Sequence, residues 1–268
     1  MTKAIYKLNR YTRMAGLSVV LLLSTQHLVQ AQVLAPELAA KEAQPASSQW
    51  GLGIGAGYTT KAYRDFDNKV SPLPLVLYEN RYISFFGTTL DAKLPSAGPV
   101  SFRLRAKYSM DGYEAKDSPF LSGMEERKGG LWLGGAAIWR GNFLDASVEA
   151  LSATGDAEGK RVKLELSRNF KTGDLTITPR VAANWYDSKY VDYYYGVRAS
   201  EVRTGRASYT GKSTTNAELG VRIGYAVAPR HNVFVDLSAT TLGSSIKDSP
   251  LVEKSSESSV KFGYLYSF

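Results

Sequence analysis

Apolar side chains recur at every second position through runs of about ten residues, and no longer apolar run interrupts them after the N-terminal segment. Phe102, Leu104, Ala106 and Tyr108 alternate with Arg103, Arg105, Lys107 and Ser109. Leu144, Ala146, Val148 and Ala150 alternate with Asp145, Ser147 and Glu149, and Val162, Leu164 and Leu166 with Lys163, Glu165 and Ser167. Further on, Ala217 to Val227 alternates with Glu218, Gly220, Arg222 and Gly224, and Val233 to Ala239 with Phe234, Asp236 and Ser238. A period of two is that of a β-strand, whose successive side chains face opposite ways. The runs have the length of a barrel strand crossing a bilayer, about 9 to 11 residues, and none is long enough for a spanning helix.

The connections alternate as well. "RGN" (140–142), "KTGD" (171–174) and "APRHN" (228–232) are tight turns, whereas 112–130, 187–212 and 243–256 are long and polar. Short turns on one side and long loops on the other distinguish an outer-membrane barrel from a soluble sandwich. The fold expected is therefore an all-β, antiparallel transmembrane β-barrel in the outer membrane of a Gram-negative bacterium. Strand-like runs lie at 50–60, 70–78, 82–94, 100–110, 131–140, 143–154, 160–170, 175–186, 214–228, 233–242 and 257–268. That is an odd number where single-chain bacterial barrels are even. The count thus resolves to ten or twelve, with twelve preferred, and the doubtful run is 82–94, where Gly87 either divides one stretch or marks a segment that does not span.

The N-terminus supports export. Lys3, Lys7, Arg10 and Arg13 precede the apolar Ala15–Leu23 and the small-residue site Val29-Gln30-Ala31, the three parts of a cleavable signal peptide over residues 1–31. Residues 32–49 are rich in Ala, Gln, Ser and Pro without a period and read as a flexible periplasmic tail before a barrel over 50–268. The leader takes four basic residues and no acidic ones, so a formal charge of +8 becomes +4. That modest balance gives no footing to nucleic-acid binding. The chain has no Cys, so disulfides do not hold it.

Alternation assigns faces. Arg103, Arg105, Lys107, Lys163, Arg222 and Lys261, with Asp145, Glu149, Glu165, Glu218 and Asp236, would line the lumen. At mid-membrane on the lipid side an Arg or Lys would cost about 2–4 kcal/mol. Six cations against five anions suit an interior filled with ion pairs, although the three cations on one strand could also line a narrow anion path. Tyr58, Tyr78, Tyr82, Trp132, Trp139, Trp185, Tyr186, Tyr225, Tyr264 and Tyr266 fall near strand ends, as interfacial girdles do. Catalysis finds no support. His27 leaves with the leader, His231 sits in a predicted periplasmic turn, and Ser238 and Asp236 would lie up the strand from it, so no Ser-His-Asp arrangement forms. No zinc spacing, phosphate loop or dinucleotide fingerprint implies a cofactor.

Two stretches suggest contacts. Tyr193, Tyr194, Tyr195 and Gly196 open a long outer loop that also carries Arg198, Arg203, Arg206 and Lys212. A basic aromatic loop either engages lipopolysaccharide phosphates or a host surface, or folds back to close the barrel mouth. The loop 246–254 balances Lys247 and Lys254 against Asp248 and Glu253 and suggests internal ion pairs. The final "KFGYLYSF" sets Phe262, Tyr264, Tyr266 and Phe268 on one face. Lys261, Gly263, Tyr266 and Phe268 together resemble the C-terminal signal read by the barrel-assembly machinery.

"SPLPLVLYENRYISFFG" (71–87), "DYYYGV" (192–197), "IKDSPLVEK" (246–254) and the terminal strand, in this order over about 50–268, resemble the OmpV/MltA-interacting protein family of outer-membrane barrels. The resemblance implies a scaffold that tethers a lytic transglycosylase to a penicillin-binding protein. It also leaves room for a narrow small-solute pore or a surface adhesion barrel. The short periplasmic turns offer little area beside the ~800 Å² per partner of a standard interface. On the scaffold reading, the 32–49 tail would supply the rest.

Overall fold

Strand β1 (Gln49–Thr60) shows how the sequence builds the wall. Trp50, Leu52, Ile54 and Tyr58 point outward, while every inward position from 51 to 57 is glycine. Ile54 is 74% exposed, as Leu219 and Leu104 are at 63% and 57% on other strands, the pattern of a surface whose solvent is lipid. A Cβ on Gly53 would lie 2.0 Å from the Tyr264 carbonyl oxygen of the neighbouring strand, so this close seam requires glycine.

The computed structural model describes residues 48–155 and 157–268. The leader assigned to 1–31, and the tail assigned to 32–49 apart from its last two residues, lie outside the described residues. The remaining strands are β2 (Val70–Glu79), β3 (Ile83–Phe86), β4 (Thr89–Lys93), β5 (Val100–Ser109), β6 (Gly130–Arg140), β7 (Asp145–Thr154), β8 (Lys160–Ser167), β9 (Phe170–Thr172), β10 (Leu175–Tyr186), β11 (Thr214–Ala228), β12 (His231–Thr241) and β13 (Ser256–Ser267). Except for β8 and β9, which both pair with β10, sequence neighbours pair antiparallel, and β1 closes the ring on β13 from Gly51↔Ser267 to Thr60↔Ser258.

The ring has twelve strands, because β8 and β9 are two pieces of one. Both pair with β10 in a single register, Ser167↔Arg180 and Phe170↔Ile177. Between them Arg168 donates its N–H to the Pro179 carbonyl (3.2 Å), but Pro179 has no N–H to return, and the ladder lapses there. The run 82–94 is divided at Gly87, whose φ of +57° makes a two-residue turn from β3 to β4.

That short hairpin leaves the wall uneven. β3 pairs with β2 only from Leu77 to Glu79, and Gly87 donates to the Val76 carbonyl (3.1 Å). Above Val76 this edge of β2 has no strand partner among the described residues. The Val76 bond shows that even-numbered residues of β2 aim their backbone groups at that edge. Pro72 and Pro74 stand at these positions, so two donors that lipid could not satisfy do not exist. The motif "SPLPL" thus has a structural cause.

Lipid-facing and lumen-facing sets follow the alternation with two corrections. Trp132 and Tyr186, read from sequence as girdle residues, face inward: Trp132 is fully buried with the Arg161 guanidinium 4.4 Å from its ring, and Tyr186 packs on Tyr190. In "GLWLGG" both faces are apolar, so period alone does not tell which one is inside.

Candidate functional site

The lumen is filled in three layers. At the outer mouth the loop 187–213 folds back into the barrel. Asp187 caps helix α1 (Ser188–Tyr195) by accepting from the Tyr190 N–H (2.9 Å), and Tyr190, Val191, Tyr194 and Tyr195 form its buried stripe. Tyr63 stacks on Tyr195 (5.3 Å between centroids) and donates its hydroxyl to the Tyr194 carbonyl (3.1 Å). Tyr186 stacks on Tyr190 (4.3 Å). The Tyr194 hydroxyl donates to the Lys128 carbonyl, and the Lys128 N–H donates to the Tyr193 hydroxyl. Burial pushes the phenols of Tyr63, Tyr190 and Tyr195 upward, keeping them neutral donors. Of the two fates open to this loop in the sequence, the structure adopts the closed mouth.

The other outer loops complete the plug. Ile246 in helix α2 (Ser244–Lys247), Leu251 and Val252 are buried in the same cluster as Leu121, Met124 and Val197. Charge pairing inside 246–254 comes down to a partly exposed Lys254–Glu253 contact at 3.6 Å, so apolar burial places this loop more than ion pairing does. A buried pair ties two loops together, with Arg127 donating from Nη2 to both oxygens of Glu201 (2.7 and 2.9 Å). Burial raises the Glu201 carboxyl, but N–H donation from Arg198 and Glu125 and the Arg127 charge outweigh it and hold the group below the usual carboxylate range. Arg206, buried, donates to the Glu201 and Phe120 carbonyls (2.8 and 2.6 Å).

The waist is ionic. Arg103 and Arg105 both bind Asp91 (3.2 and 2.7 Å), and Arg105 and Lys107 both bind Glu149 (2.5 and 3.3 Å). On the facing wall Lys163 binds Glu165 and Glu218 (3.0 and 3.3 Å). Arg180 grips Asp236 through both terminal nitrogens (3.0 Å each) and reaches Glu218 from Nε (3.2 Å), while Arg222 binds Asp236 at 3.2 Å. Asp91 with Arg105 and Arg222 with Asp236 are cross-strand neighbours, whereas Arg105 and Lys107 with Glu149, Lys163 with Glu218, and Arg180 with Asp236 each reach over an intervening strand, as side chains on the concave inner face of a barrel can. Asp145 stands at the periplasmic end of β7, opposite Arg140. Sequence reading missed Asp91 and Arg180, which enter four of these nine pairs, and Arg161, which binds Asp111 at 3.5 Å beside them. β4 is too short to display a period, and Arg161 and Arg180 each follow a residue that masks it, Lys160 and Pro179.

Below the ions, Leu73, Leu75, Leu77, Phe86, Phe234 and Leu265 make a second apolar cluster. Gly263 yields the space for Phe234, since a Cβ there would lie 2.2 Å from the ring. At the last turn Phe268 donates its N–H to the Trp50 carbonyl (2.8 Å), and Tyr266 packs between His231 and Phe268. His231 opens β12, its Nδ1 2.7 Å from the Tyr264 hydroxyl.

Between plug and waist lies a cavity of about 140 Å³. Its wall on three strands is polar: Thr59 and Lys61 on and just beyond β1, Glu257, Ser259 and Lys261 on β13, Ser238 and Thr240 on β12. Tyr63, Tyr190 and Tyr195 roof it.

Known proteins resemble the chain along almost its whole barrel. A family model described as "MltA-interacting protein MipA" matches residues 52–268. The MltA-interacting protein of Escherichia coli K12 is 25% identical over 230 residues, covering 83% of this chain and 92% of that protein. The outer membrane protein OmpV of Vibrio cholerae is 23% identical, covering 78% and 82%. Among solved structures, the NanC porin covers 80% of this chain and 98% of its own at 9% identity and a TM-score of 0.42.

Proposed function

Because this chain belongs to the MltA-interacting protein family of outer-membrane barrels, we propose that it works as an outer-membrane anchor for murein-acting enzymes. The partner suggested by the relatives' name is a lytic transglycosylase, and a penicillin-binding protein is the second partner of the scaffold. The observation that carries this reading is the filled lumen. An aromatic plug, an ionic waist and a Leu/Phe base occupy the interior in series, which suits a rigid wall element better than a diffusion path. The role then falls to the surfaces at the barrel ends.

On the periplasmic side the turns 80–82, 94–99, 141–144, 173–174 and 229–230 are short, so a partner of standard footprint needs further chain. Residues 32–48, entering from the β1 end on that side, are the available segment. Crosslinking in intact envelopes followed by identification of captured proteins tests the anchor. Recovery of a murein hydrolase or synthase is expected, and its loss on deleting 33–48 assigns the contact to that segment. Capture of no murein enzyme, together with reproducible conductance steps in planar bilayers, would replace the anchor with a pore.

A further inference from the structure

The cavity between plug and waist is lined by a cation that touches no carboxylate directly. Lys261 is 6% exposed and lines the space, yet among the described residues its ammonium makes no hydrogen bond and no ion pair. Asp236, opposite it in the β12–β13 register, is taken up by Arg180 and Arg222. The other interior cations just below are each bound to carboxylates. A buried ammonium whose nearest carboxylate is already shared by two guanidiniums is costly, and a bound anion would supply a direct counter-charge.

The surroundings say what that counter-charge would look like. The residues lining the cavity include five cations (Lys61, Lys107, Arg161, Lys163, Lys261) and four anions (Asp111, Glu149, Glu218, Glu257), an excess of one positive charge. Directly above Lys261 on the same face lie Ser259 and Glu257. Ser259 is flanked by Thr59 on β1, whose hydroxyl donates to it at 3.0 Å, and by Ser238 on β12. Lys61, at the upper edge, spends its ammonium on one carbonyl, that of Gly112 (2.6 Å). The free space is about 140 Å³, enough for several waters or one small organic molecule.

We propose that this cavity binds a small hydroxylated monocarboxylate, its carboxylate on Lys261 and its hydroxyls on Ser259, Ser238 and Thr59. One negative charge neutralises the local excess, and the hydroxyl column offers donors and acceptors in a row along the wall. The tyrosine roof excludes bulk water from above, which strengthens the charge contact. The anchor proposed above does not require this site.

The test uses the whole barrel, refolded in detergent and checked for folding by its gel mobility before and after heating. Glycerate and glycerol serve as probes, equal in carbon skeleton and unequal in charge, and binding is followed by calorimetry. Saturable binding of glycerate is expected, with glycerol at least tenfold weaker. Lys261→Met should weaken glycerate at least tenfold in a barrel that still shows the folded mobility, and Ser259→Ala should weaken it by a smaller factor. Lys69→Met, in an exposed outer loop, should change nothing. Absence of saturable glycerate binding, equal binding of glycerol, or unchanged affinity in a folded Lys261→Met barrel would each overturn the assignment.

Discussion

Replacing Asp236 by Asn tests the ionic waist with almost no change of shape. Asp236 is 2% exposed and accepts from Arg180 twice and from Arg222 once. The amide keeps one acceptor oxygen and the volume, so what is lost is the negative charge between two guanidiniums and Lys261. Breaking a buried pair by removing one partner costs about 3–5 kcal/mol. Here Arg180 retains Glu218 at 3.2 Å, which places the expected loss near the lower end, about 3 kcal/mol. That is more than a hundredfold in the folding equilibrium at about 1.4 kcal/mol per decade. With a urea dependence of ~3 kcal/mol/M, the midpoint should fall by about 1 M. Urea titration in detergent, read by unheated gel mobility and by the fluorescence of the four tryptophans, measures it. Adding Arg222→Met removes one of the stranded cations and should restore about 1–3 kcal/mol. A single variant within about 0.3 kcal/mol of wild type, or a double variant no more stable than the single, would refute the claim that paired charges hold the waist.

Four further outcomes are expected. Gly53→Val sets its Cβ against the Tyr264 carbonyl oxygen and should prevent β1 from closing on β13; the heat-modifiable form should disappear, while Leu52→Ala on the outer face keeps it. Glu201→Gln should loosen the outer loops, so that trypsin cleaves at Arg198, Arg203 or Arg206 sooner while the barrel keeps its folded mobility. Because Glu201 is held below its unfolded value, its contribution is present above about pH 4.3 and is lost as pH falls through the folded value; pepsin should therefore cut the same loops of the wild type increasingly below pH 4, and those of Glu201→Gln with less pH dependence. Deleting Phe268, which we propose is read by the barrel-assembly machinery, should lower the amount of folded barrel in the outer membrane; an undiminished amount would remove that role from the C-terminal residue.

The alternation of Phe102 to Tyr108, of Ala217 to Val227 and of the terminal aromatic comb, taken with short turns alternating with long loops, determines from sequence that the chain is a barrel. Where one face carries charge, the sequence also determines which face meets lipid, because side chains on a strand have no choice but to alternate and charge on the lipid face is expensive. The even strand count was likewise within reach, with Gly87 as the dividing signal. Two local signals lay in plain view and take their meaning only from the pairing: the glycines at 51, 53, 55 and 57, and the prolines at 72 and 74. The tertiary structure alone decided what fills the barrel. Whether Tyr193 to Tyr195 reach outward or fold inward depends on Tyr63, Trp132 and Ile246, which come from three other parts of the chain. That Arg180 belongs to Asp236 depends on strands β10, β11 and β12 curving around a common axis. Periodicity is a property of one strand, and a lumen is made by all of them; partners that meet across it share no spacing a sequence can display.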